Sequence, residues 1–123
     1  MGLVIYGVDL DDMKTALTEE AKSKAASFEK GLNTSKLRQY YQVVSSIYEK
    51  MCARKDSDCN DLWMQFYLLK ARSNYDKTRR LVNEEFKRFI ESAVDNVKTK
   101  EDLERFKLFF EAIVGFFPKS TAN

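Results

Sequence analysis

Apolar residues recur at three- and four-residue steps in five stretches of the chain, the spacing of helices that each bury one face. The first stretch runs from about Leu10 to Lys30, with Asp9 or Asp11 as its N-cap and Gly31 as a left-handed closing residue. Its apolar positions, Leu10, Met13, Leu17, Ala21, Ala25 and Phe28, make a thin stripe, so residues 1–30 are expected to dock less firmly than the rest. Asn33, Thr34 and Ser35 offer three capping side chains before a second helix over 35–54, whose Leu37, Tyr40, Tyr41, Val44, Ile47, Tyr48 and Met51 form a broad buried face. A third helix starts near Asn60, with Leu62, Phe66 and Leu69 on one face and Trp63 and Tyr67 beside it. It either continues through Tyr75 to Arg80 or bends near Ser73 and Asn74.

A fourth helix is predicted from Leu81 to Val97, turning Phe86, Phe89, Ile90, Ala93, Val94 and Val97 inward. Thr99 with Asp102 resembles a capping box and opens the fifth, where Leu103, Phe106, Phe109, Phe110, Ile113, Val114 and Phe117 cover more than half the circumference. Pro118 stops that helix, leaving 118–123 as a frayed tail. Phe109, Phe110, Phe116 and Phe117 cannot all face one interior, so Phe109 and Phe116 are assigned to a protein interface. The expected class is all-α, a compact bundle of about five helices forming one domain over 1–123.

Composition agrees with that reading. A chain of 123 residues with 44% apolar character is the size of one domain, and only four Gly and one Pro leave few places where helices must break. Residues 1–8 are apolar but lack the basic lead and the length of a signal peptide, and no stretch approaches the roughly 20 apolar residues of a membrane span. Tyr6 stands where a myristoylation signal needs Ser or Thr. The expected location is the cytoplasm.

The net charge of +2 conceals an uneven distribution. Residues 68–90 carry seven cations against three carboxylates, while 1–30 carry four against six. Such a basic middle attracts phosphate, or it is a solvated face with ordinary ion pairs. Within it Lys70 and Lys77, and Arg72 and Arg79, are seven apart, which puts each pair on one side of a helix two turns apart. A ladder of this kind could meet phosphates along a strand. Arg72–Asp76 and Asp76–Arg80 are possible i,i+4 pairs, which would leave Lys70, Lys77 and Arg79 as the freer cations. Lys36 and Arg38 begin the second helix, where positive charge opposes the helix dipole, so helix stability does not explain them.

Catalytic chemistry finds little to work with. The chain has no His, the usual acid-base group at neutral pH, and Cys52 or Cys59 as a nucleophile would lack an imidazole base. The spacing of the two Cys fits neither a zinc ribbon nor a redox pair, and the run Asp56, Asp58, Asp61 fails as a calcium loop, with Asp61 where Gly is needed and Tyr67 where a bidentate Glu belongs. No glycine-rich phosphate loop exists. No cofactor, no metal and no catalytic residue are expected.

Three blocks resemble the small subunit of type III-A (Csm-type) CRISPR-Cas effector complexes. Leu32-Asn33-Thr34-Ser35-Lys36-Leu37-Arg38, followed by Tyr40 and Tyr41, is similar to that family's Leu-Thr-Thr-Ser-x-Ile-Arg helix start. Leu69-Lys70-Ala71-Arg72-Ser73-Asn74-Tyr75-Asp76-Lys77-Thr78-Arg79 is similar to a block with a basic residue after Leu and then Tyr-x-x-x-Arg. Phe110-Glu111-Ala112-Ile113-Val114-Gly115-Phe116-Phe117 resembles an aromatic-Glu-Ala-Ile-Val-Ala-Tyr ending. Ser73 and Asn74 replace an apolar pair, and Gly115 replaces Ala.

The resemblance implies a non-catalytic subunit, present in several copies and stacked in the inner filament of a ribonucleoprotein used in antiviral defence. It would lie beside guide RNA and target RNA, next to the target-cutting backbone subunit and the large polymerase-like subunit, and a homodimer is possible in isolation. By position, Arg38, Lys70 and Arg79 match basic places of the family and are the first candidates for RNA contact. Lys36, Arg72, Lys77 and Arg80 join them from local charge. The alternative is a helical protein-protein interaction module without direct RNA contact.

Overall fold

The structure, a computed structural model, describes residues 5–118. Five helices account for the elements expected from the apolar period, and no strand occurs among the described residues. Helix α1 comprises Leu10–Thr15, a π-helical turn Ala16–Glu20 and Ala21–Phe28; α2 is Thr34–Cys52, α3 Asn60–Thr78, α4 Glu84–Asn96 and α5 Lys100–Phe116. A short 3-10 turn, Asp56–Asp58, links α2 to α3. Helix α3 runs as one helix through Ser73 and Asn74, and the buried Ser73 hydroxyl is satisfied by the Lys70 carbonyl at 3.0 Å.

Short polar side chains set the helix starts. Asp9, Asn33, Asn83 and Thr99 each accept a hydrogen bond from the backbone N–H three residues on, satisfying a donor that the helix leaves unpaired. Asp102 closes the Thr99 box from a neighbouring position, accepting from the Lys98 N–H at 3.0 Å. At the other end of the chain, Phe117 is extended ahead of Pro118, whose ring disfavours helical backbone in the preceding residue. The tail beyond Pro118 assigned to fraying lies outside the described residues.

Two features differ most from the sequence reading, the start of the fourth helix and the buried face of the first. The fourth helix begins at Glu84 rather than Leu81, since Arg80 adopts a left-handed conformation, φ 65°, that ends α3. The Leu81 N–H donates to the Asp76 carbonyl and the Arg80 N–H to the Lys77 carbonyl, the paired bonds of a Schellman C-cap, with Arg where Gly is usual. In α1 the buried residues are Met13, Ala16, Ala21, Ala25 and Phe28. Leu10 is exposed and Leu17 only partly buried, because the π turn inserts a residue and makes the step from Ala16 to Ala21 five instead of four.

Helix α5 is central. It packs against α1 and α2, while α4 packs against α3 and α2 also meets α3. Rings from three helices converge there: Phe28 lies 5.3 Å from both Phe86 and Phe89, and Phe89 lies 5.2 Å from Phe106 and 5.3 Å from Phe110. Each such ring contributes roughly 1.5–3 kcal/mol by leaving water, with edge-to-face pairing adding to it. Phe109 belongs to this core at 3% exposure, which corrects its assignment to a protein interface: with α1 and α4 beside it, α5 buries a wider arc than a helix with one neighbour could. Phe116, beyond that contact, stays 41% exposed. Residues 5–8 are held by Arg105 of α5, whose Nη1 donates to the carbonyls of Ile5 at 3.2 Å and Val8 at 3.0 Å.

Candidate nucleic-acid interface

Where α2 crosses α3, a buried carboxylate organises the basic side chains. Asp76, only 3% exposed, accepts the Tyr40 hydroxyl at 2.5 Å and lies 3.6 Å from the Lys36 ammonium. A buried charge needs both a counter-charge and a hydrogen bond, and here one comes from each of two side chains on α2. The Arg72 guanidinium sits 5.9 Å over the Tyr40 ring. Burial, then the hydrogen bond to Asp76, push the Tyr40 hydroxyl well above its ordinary range, so it remains a donor. Lys36, placed against the dipole of its own helix, is thereby explained: its partner is on α3.

This geometry replaces the expected ladder on α3. Asp76 turns toward α2 instead of pairing with Arg72 or Arg80, and Arg80 has left the helix. The expected free cations are also engaged: Lys70 reaches Asp95 of α4 at 2.9 Å and Lys77 reaches Glu84 at 3.6 Å. The hydrogen bond to Asp95 holds the Lys70 ammonium above the usual lysine range, keeping it cationic. Arg79 donates to the Tyr75 hydroxyl at 3.2 Å with its guanidinium 5.4 Å from that ring, a contact that leaves the charge uncompensated. Among the described residues, Arg38, Arg72, Arg79 and Arg80 have no carboxylate partner, a set the i,i+4 rule alone could not find.

The seven cations therefore form separate groups. Lys36, Arg72 and Arg79 lie along the α2 side of α3, and Lys70 and Lys77 along its α4 side. Arg38 is two residues from Lys36, so it points to the other side of α2, with Tyr41, whose hydroxyl meets Glu111 at 3.3 Å. Arg80 stands at the turn into α4, where Lys77, Arg80 and Lys87 face Glu84 around an open cavity of about 650 Å³. Lys87 escaped sequence reasoning because it lies on the next helix, outside the seven-residue repeat.

The remaining chemistry is sparse. Cys52 is exposed and Cys59 buried, both as free thiols, and the Cys59 thiol donates to the Lys55 carbonyl at 3.3 Å. Among the described residues no three His, Cys, Asp or Glu side chains converge as a metal site, and no helix is long and apolar enough to cross a membrane. The fold and the site define an all-α bundle that carries several groups of cations on its surface.

The particular family follows from comparison with known proteins. The family model Csm2 Type III-A matches residues 11–120, and the chain belongs to that family, the structural small subunits of type III-A CRISPR complexes. Its partners include other subunits of such a complex. Among curated proteins and among solved structures nothing matches the chain.

Proposed function

We propose that the chain is a non-catalytic subunit that stacks in the inner filament of a cytoplasmic type III-A interference complex and holds guide and target RNA by their backbones, without sequence preference. Its neighbours would be further copies of itself, the target-cutting backbone subunit and the large polymerase-like subunit. The observation that carries the reading is the set of four arginines, Arg38, Arg72, Arg79 and Arg80, without a carboxylate partner among the described residues. Arg72 and Arg79 stand two turns apart, about 10 Å along α3. Guanidinium groups left in this state match phosphate oxygens, and base pairing rather than protein contact would supply sequence choice. Lys36, Lys70 and Lys77 can add to the field. The pairs of Lys70 and Lys77 are exposed and screened by solvent, so a phosphate can displace the carboxylate.

The test is RNA retention by the assembled complex across a salt series. Arg72→Glu with Arg79→Glu is expected to weaken retention and to flatten the log-log salt slope by about 0.7–0.9 per lost contact, while the variant chain keeps its helical circular dichroism. Unchanged retention and slope in both that variant and Arg38→Glu with Arg80→Glu would leave a protein-interaction role in its place.

A further inference from the structure

Trp63, Tyr67, Lys70, Asn74 and Lys77 step by four, three, four and three residues along α3 and so share one side of it over about 20 Å, aromatic in its first half and cationic in its second. Trp63, the chain's single tryptophan, stands edge-on to the fully buried Phe66 with ring centres 6.0 Å apart, which fixes the indole on the core. Tyr67 lies nearly parallel to it, 6.2 Å away with 28° between the planes, and is 51% exposed. The core lies beneath Leu62, Phe66 and Leu69, so folding does not require a second ring stacked outside Trp63.

Ammonium groups bound this aromatic pair at both ends. On one side the connection from α4 to α5 brings Lys98 and Lys100 to an open cavity of about 200 Å³ whose wall includes Trp63. Lys100 meets Asp56 at 2.8 Å, but Lys98 donates to the Asp95 carbonyl at 3.1 Å and has no carboxylate partner among the described residues. On the other side Lys70 lies one turn beyond Tyr67, in its exposed pair with Asp95. A flat π surface between cationic groups complements a nucleotide, whose base is carried between phosphates. An apolar protein segment would cover the rings and leave the ammonium groups without anions.

We propose that Trp63 and Tyr67 form a stacking platform for an unpaired base of single-stranded RNA, with Lys98 and Lys70 taking the phosphates to either side of it. The inference rests on the RNA contact proposed above and adds a preference to it. Backbone contacts hold paired and unpaired RNA alike, whereas bases inside a duplex cover one another and present no face to the platform. Every base has such a face, so the platform selects single strands without choosing a sequence. Arg72 and Arg79 lie on the opposite side of α3 and are not part of it.

Titration of the nuclease-treated full chain with a short oligouridine at low salt tests it, read by the emission of Trp63 and by the anisotropy of a dye on the RNA. Binding should quench the emission. Tyr67→Ala should raise the dissociation constant at least about fivefold without changing helical content, and Tyr67→Phe should leave it unchanged, because the ring and not the hydroxyl stacks. Lys98→Glu should weaken binding and flatten the log-log salt slope by about 0.7. A blunt RNA duplex, and a ribose-phosphate strand without bases, should leave the emission as it is. Oligouridine binding that does not alter Trp63 emission, or that Tyr67→Ala does not weaken, overturns the platform and leaves backbone contact standing. Quenching by the strand without bases overturns it too, as does a free chain that binds no single strand at low salt. The RNA reading itself fails separately, through retention by the assembled complex that is indifferent to salt and to the arginine variants.

Discussion

The Tyr40 hydroxyl and the Asp76 carboxylate meet 2.5 Å apart across the α2–α3 contact, and both residues are almost fully buried. Tyr40→Phe keeps the ring that packs 5.0 Å from Phe86 but removes the donor, leaving Asp76 with only the longer Lys36 contact. A buried acceptor deprived of its hydrogen bond costs about 1–3 kcal/mol. Urea unfolding should show that loss at neutral pH, and an unchanged midpoint would mean water reaches Asp76.

The same pair predicts an alkaline limit. Burial and Asp76 raise the Tyr40 hydroxyl above its ordinary value in the folded state, so the folded chain holds that proton more tightly than the unfolded one. Its stabilising contribution is complete below about pH 10 and is lost as pH rises through the raised value. Tyr40→Phe lacks this group. The gap in unfolding free energy between the two proteins should therefore hold steady up to about pH 9 and narrow above about pH 10, by up to about 1.4 kcal/mol per unit. A gap that widens would reverse the sign and the assignment.

What the sequence showed and what it hid separate along physical lines. Helices α2, α4 and α5 were legible because Leu37 to Met51, Phe86 to Ala93 and Leu103 to Ile113 keep strict helical steps, and Asn33 and Thr99 are side chains that cap. The π turn at Ala16–Glu20 was not, since a five-residue step between two alanines leaves no apolar signal. The end of α3 is not legible because the left-handed position that usually announces itself as Gly is Arg80. For the basic residues, sequence gave composition but not pairing: Asp76 lies an ideal four residues from Arg72 and from Arg80, yet burial against Tyr40 outweighs two exposed ion pairs. Lys70 with Asp95 joins different helices, beyond any local rule.

Asn83 serves two helices at once. Its Oδ1 accepts from the Phe86 N–H at 2.9 Å, starting α4, and its Nδ2 donates to the Lys30 carbonyl at 2.6 Å and to those of Ser27 and Phe28 at 3.3 Å, ending α1. Asn83→Ala should cost about 2–3 kcal/mol, a lost cap together with unpaired carbonyls. Asn83→Asp keeps the acceptor and removes the donors, so its effect should fall on α1 alone. Hydrogen exchange is the measurement: amides of Ala21–Phe28 should exchange faster in Asn83→Asp while those of α4 hold. Equal loosening of both helices would show that α1 and α4 open together.

Arg80 separates stability from function most directly. A left-handed backbone costs a non-glycine residue roughly 1–2 kcal/mol, and nothing in the Schellman turn requires a long side chain there. Arg80→Gly should therefore raise stability by about 0.5–1 kcal/mol, read as a higher unfolding midpoint. If the guanidinium is present for phosphate, the stabilised variant should at the same time hold RNA less well in the assembled complex, with a shallower salt slope. A variant that is more stable and retains RNA fully would remove Arg80 from the interface. Loss of both properties would show that the side chain supports the turn.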